Sequence, residues 1–157
     1  MAISRQMQAR LNKIDSLVEN GYSLQKMWGY YPNLVKPSGE SVNIFGGFFS
    51  FSGPAGFSWI AFFFPWAVCA QIREWSFFYF LGIFDLFSTI LNLSFNTSSN
   101  ISWVLIGYFY ANMFPYLRYM ASNKGITELP KAASIFLGFT LCIVAAMPAL
   151  LLSLVAF

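Results

Sequence analysis

The sequence predicts an all-α integral membrane protein, and three observations carry that class. Hydrophobic residues fill 57% of the 157 positions and charged residues only 10%, against about 25% charged in a soluble domain. Apolar runs of bilayer-crossing length recur through the second half of the chain. The nine lysines and arginines gather in the N-terminal tail and in short loops between those runs. The predicted architecture is an N-terminal amphipathic helix, one re-entrant or interfacial apolar segment and three transmembrane helices. Residues 1–43 form a cytoplasmic or interfacial N-terminal segment, and 44–157 form the membrane domain.

The first element follows from Ile3, Met7, Leu11, Ile14 and Val18, which share one helix face. Asn20-Gly21 supplies the stop. Arg5, Arg10 and Lys13 crowd the first half of this helix, and Asp15 and Glu19 the second. That order opposes the helix dipole. Anionic headgroups or an acidic partner would favour it; the alternative is a solvated helix resting on its own protein. No continuous apolar run of signal-peptide type opens the chain. From Gly21 to Ser41, Pro32, Pro37 and Gly39 predict irregular chain. Trp28, Tyr30 and Tyr31 place that stretch at the membrane–water boundary.

Residues 44–70 are free of charge but interrupted by glycine and proline. Their continuous part, 57–70, contains Pro65 and is too short for a straight span, so a re-entrant or interfacial path is expected. Residues 75–94 make a full span, 101–117 a slightly short one, and 132–157 a third. Cation placement selects this count. With four crossings, Arg118, Lys124 and Lys131 would fall outside; with three, all nine cations lie inside. The N-terminus and the 118–131 loop are then cytoplasmic, and the Asn96–Asn100 turn and C-terminus are outside. Asn92, Asn96 and Asn100 head glycosylation sequons, but they sit too near the bilayer to serve as acceptors.

One charge stands inside a span. Asp85 shares a helix face with Gly82, Ser88, Thr89 and Asn92. A carboxylate at mid-membrane costs about 2.5–3.5 kcal/mol and should face protein. Measured from the turn, Asp85 and Asn112 fall at similar depths, roughly 20 Å along their helices. Asn112 and Tyr108 are therefore the expected partners. Gly107 and Ala111 form a small-xxx-small pair for close helix approach, and Gly138 is a further packing position. Asp85 either fixes helix packing through hydrogen bonds or lines a path for a cation, a proton or a polar solute.

The remaining chemistry is sparse. There is no histidine, and Cys69 and Cys142 stand apart; no metal or haem-attachment spacing arises. Neither a Gly-x-Ser-x-Gly elbow nor a glycine-rich phosphate loop occurs. An enzyme is not expected, nor is a cofactor, although bound lipid is compatible with the composition. The basic balance, with a pI near 9.0, belongs to membrane-flanking segments, and no nucleic-acid partner is expected. Other integral membrane subunits and membrane lipids are the expected partners, in a hetero-complex. The function that follows is an accessory or assembly subunit. Alternatives are a small oligomeric transporter with Asp85 in its path, and an immunity or regulatory protein acting on one membrane partner.

The run FSWIAFFFPWAVCAQIREW, with Phe57, Trp59, Ala61, Phe62, Phe63, Trp66 and Arg73, precedes an apolar hairpin and then GYFYANMFPYLRYM, with Gly107, Ala111, Asn112 and Tyr116. Over residues 57–120 this pattern resembles an uncharacterised bacterial family of small polytopic inner-membrane proteins. Phe64 departs from the family pattern, which has a small residue before the proline. The resemblance implies a bacterial inner-membrane location and no established activity.

Overall fold

The computed structural model describes residues 4–46, 53–95 and 102–155. The Asn96–Asn100 turn, Ile101 and the last two residues of the third predicted span lie outside the described residues. The chain forms two compact units. One comprises Met1–Trp59 and Ala111–Thr127, the other Ile60–Tyr110 and Glu128–Phe157.

The first unit opens with α1 (Arg5–Glu19), capped by the Ser4 hydroxyl, which accepts from the Met7 amide at 3.2 Å. Met7, Leu11 and Ile14 are buried, while Val18 of the same face is 36% exposed. After α1 the chain does not stay irregular. It forms β1 (Ser23–Met27), β2 (Tyr31–Val35) and β3 (Ser41–Val42), an antiparallel sheet in that order. The all-α expectation is thus corrected by a small sheet.

The breakers that suggested loop sit where a meander tolerates them. Pro32 and Leu34 are the buried, alternating residues of β2. Pro32 pairs with Lys26 only, since β3 joins β2 at Leu34 and Val35, so its missing amide breaks no ladder on the other side. Pro37 and Gly39 lie in the β2–β3 turn, closed by the Lys36 amide donating to the Glu40 carbonyl at 2.8 Å.

Against these elements packs the second half of α5 (Ser102–Asn123), which contains Pro115. A proline cannot donate to the carbonyl four residues earlier. That carbonyl, of Ala111, instead accepts from the Ser58 amide at 3.0 Å. The same 53–58 segment is held twice more: the Ala55 amide donates to the Tyr116 hydroxyl at 3.0 Å, and Arg10 donates to the Phe57 carbonyl at 2.5 Å. Burial lowers the Arg10 pKa from its ordinary value. Helix α5 runs two turns beyond the predicted end at Leu117. It stops where Gly125, at φ 68°, receives the chain, with the Ile126 amide returning to the Ala121 carbonyl.

The second unit starts at Ile60, one residue into α2 (Trp59–Phe63), and continues with α3 (Pro65–Gln71), two short helices in place of one apolar segment. Pro65 opens α3 and so separates them. Then come α4 (Ser76–Phe95) and α6 (Lys131–Val155). Both are long and apolar enough to cross a membrane, and among the described residues only these two helices are. Helix α5, predicted as a span, is less apolar because it carries Asn112, Arg118, Asn123 and tyrosines 108, 110, 116 and 119.

Helix α6 packs on α3 and α4 through small residues. A Cβ at Gly82 would lie 2.9 Å from the Ala145 carbonyl oxygen, and one at Gly138 would lie 2.7 Å from that of Trp66. Gly107 of α5 approaches the Phe62 carbonyl equally closely, at 2.9 Å. Backbones this near leave no room for a side chain.

Candidate functional site

The polar stripe on α4 begins with its backbone. Asp85, Ser88, Thr89 and Asn92 are all half-buried. The Thr89 hydroxyl donates to the Asp85 carbonyl at 2.9 Å, so its proton serves the helix and not the carboxylate. Gly82, one turn earlier, lies against Ala145, which turns this face toward α6. Cys142, one turn before Ala145, is within electrostatic reach of the Asp85 carboxylate. Tyr108 belongs to the same unit as Asp85, whereas Asn112 belongs to the other, where it is 1% exposed. Ala111, also in that first unit, is buried and contributes the carbonyl that receives Ser58.

A second polar group escaped sequence reasoning. Glu74 counts as a loop acid in the sequence, yet it is only 8% exposed. The Ser76 hydroxyl donates to its Oε1 at 2.6 Å and lies 2.9 Å from the Tyr110 hydroxyl. The Tyr110 ring in turn meets Phe77 edge-on at 5.1 Å. Glu74 stands two residues before the first residue of α4, where a helix N-terminus favours a carboxylate. That position is the signal that could have found it. The preceding corner is closed by Arg73, at φ 57°, with the Glu74 amide donating to the Cys69 carbonyl at 2.8 Å. Glycine is the usual occupant of such a place, and a side chain there costs about 1–2 kcal/mol.

Gln71 connects α3 to the approach of α6. Its amide donates to Glu128 at 3.2 Å, and its carbonyl accepts from the Leu129 amide at 2.9 Å. Cys69 and Cys142 are not disulfide-bonded. Among the described residues no three histidine, cysteine or acidic side chains gather as a metal set.

The first unit holds a cleft of about 400 Å³ between β1 and the end of α5. Lys26 and Lys124 reach it, with Gln25, Asn123 and Tyr119 beside them and Leu24 and Met120 as its apolar wall. Sequence reasoning missed it because the two lysines stand far apart in the chain, on elements that only the fold brings together.

Compared with known proteins, the chain matches no family model, no curated protein and no solved structure.

Proposed function

We propose that this chain is a non-catalytic accessory or assembly subunit of a larger integral membrane complex. In this reading α4, α5 and α6 cross the bilayer, and α2 and α3 lie in its interface. The tail and the 118–131 loop face the cytoplasm, and the C-terminus faces outward. A bacterial inner membrane is the proposed location, resting on the resemblance of residues 57–120 alone.

The observation that carries the reading is the unequal use of apolar surface on α4 and α6. Helix α6 buries Ser134, Gly138 and Ala149, while Ile135, Phe136, Phe139, Ile143 and Val144 are exposed. Helix α4 likewise buries Phe77, Phe78 and Leu81 and exposes Tyr79, Ile83, Phe87 and Ile90. Exposed apolar faces of this extent suit lipid and neighbouring membrane helices. The test is the native mass and subunit composition of the protein, extracted gently from its own membrane. A large species with reproducible partners is expected; a small homo-oligomer without partners overturns the assignment.

A second reading, a small oligomeric transporter, draws on Asp85, whose stripe turns toward α6. It requires Asp85→Asn to abolish solute flux in liposomes with assembly intact. Under the accessory-subunit reading Asp85→Asn leaves assembly and yield unchanged, because the amide retains most of the hydrogen-bonding capacity.

A further inference from the structure

We propose that the cleft of the first unit is a binding site for the phosphate of a membrane phospholipid headgroup. The donor set comes first. Lys26 and Lys124 line one space of about 400 Å³; Asn123 beside them hydrogen-bonds Tyr119, and Gln25, the strand neighbour of Lys26, is exposed. That volume is within the ~300–1,000 Å³ range of small-molecule sites. Ammonium and amide N–H groups are what phosphodiester oxygens accept from, and charge assistance strengthens those bonds. No carboxylate lines the cleft. Asp15 hydrogen-bonds Tyr119, itself a cleft residue, and Glu19 also acts on it, so the acidic edge of the cleft is on the α1 side and the lysine side is the one that suits a phosphate. Leu24 and Met120 offer an apolar wall to the glycerol and the first methylenes of the acyl chains.

Position selects a lipid as the source of that phosphate. Lys124 follows Leu117 by seven residues, about 10 Å along a helix whose apolar run has ended. If α5 crosses the bilayer, as proposed above and as this site requires, the cleft lies at headgroup depth. The hairpin beside it carries an independent sign. Trp28, two residues from Lys26, occupies the β1–β2 tip and is 75% exposed, its ring 6.2 Å from that of Tyr30. Its φ of 53° is a left-handed conformation that bulky residues rarely adopt. A tryptophan placed there against its backbone preference, and outside the core, fits the interfacial layer where Trp and Tyr concentrate.

The experiment is native mass spectrometry of the full chain in neutral detergent, with phosphatidylglycerol, diacylglycerol of the same chains, or inorganic phosphate added. The wild type should retain one phosphatidylglycerol and no diacylglycerol. The double variant Lys26→Gln/Lys124→Gln should lower retention at least about fivefold, as expected on removing two charge-assisted contacts. Lys26→Arg/Lys124→Arg should restore it, which separates loss of charge from misfolding. The charge-matched control Lys13→Gln/Lys131→Gln should retain lipid as the wild type does.

Undiminished retention in the glutamine double variant, or equal loss in the control, overturns the site. Displacement of the lipid by millimolar inorganic phosphate overturns the lipid as source. Alkaline-carbonate extraction separates this site from the reading beneath it. Glutamine variants that stay in the membrane but lose lipid support the site. Release of the wild type itself overturns the membrane reading, and the headgroup with it.

Discussion

The stretch Ala111–Ala121 of α5 and the whole of α6 are both greasy, yet they treat their side chains in opposite ways. In the first, every residue is buried except the half-buried Arg118. In the second, only Ser134, Gly138 and Ala149 are buried, and most large aliphatic and aromatic residues, Phe136, Phe139 and Val144 among them, face outward. Apolar character alone therefore does not tell a position that faces protein from one that faces outward. What separates them is company. Small residues mark where another backbone approaches, and large residues with polar partners mark a packed core.

The largest test of this contrast pairs Phe114, 2% exposed, with Phe136, 77% exposed. Phe114→Ala should cost about 3–5 kcal/mol in reversible unfolding in detergent, while Phe136→Ala should stay within about 0.5 kcal/mol. A comparable loss from Phe136→Ala would show that a protein surface covers that face of α6. Next, Gly138→Ala places a Cβ against the Trp66 carbonyl, 2.7 Å away. It should destabilise by about 1–3 kcal/mol through overpacking, read as a lower unfolding midpoint.

Smaller again is Tyr116→Phe, which removes the acceptor of the Ala55 amide. A loss of about 1–2 kcal/mol is expected, with faster hydrogen exchange at Ala55 as its local signature. The smallest effect sits on the β2–β3 turn, where Lys36 and Glu40 pair at 2.7 Å in full solvent. The hydrogen bond and charge of Lys36 lower the Glu40 pKa, and those of Glu40 raise that of Lys36. The glutamate's share of the pairing exists above its unfolded pKa and is lost as pH falls through the depressed folded value. The lysine's share exists below its unfolded pKa and is lost as pH rises through the raised one. NMR titration should place the Glu40 midpoint below 4.5 and the Lys36 midpoint above 10.5, and both should move back in high salt.

Regular apolar patterns were legible. The predicted 75–94 run corresponds to α4 at Ser76–Phe95, and the 132–157 run begins one residue from Lys131 of α6. Met7, Leu11 and Ile14 are buried on α1 as their spacing suggests. The sheet was not legible, because five-residue strands give little periodicity and Pro32 reads as a breaker until its one-sided pairing is seen. The far end of α5 was missed because polar residues continue a helix that rests on protein. At the candidate sites, the α4 stripe could be read from spacing within one helix. Glu74 with Tyr110, and Lys26 with Lys124, could not, since each group is assembled by tertiary contact.

The bond from Ser58 to the Ala111 carbonyl has a consequence for biosynthesis. The first unit is discontinuous: α2, α3, α4 and the start of α5 are synthesised between its two parts. A ribosome that has completed α1, the sheet and the 53–58 segment has not yet produced the carbonyl or the Tyr116 hydroxyl that hold that segment. The N-terminal part must therefore wait, incompletely packed, while α4 is made and delivered. The earliest-made part of the chain is in this way among the last to reach its final packing.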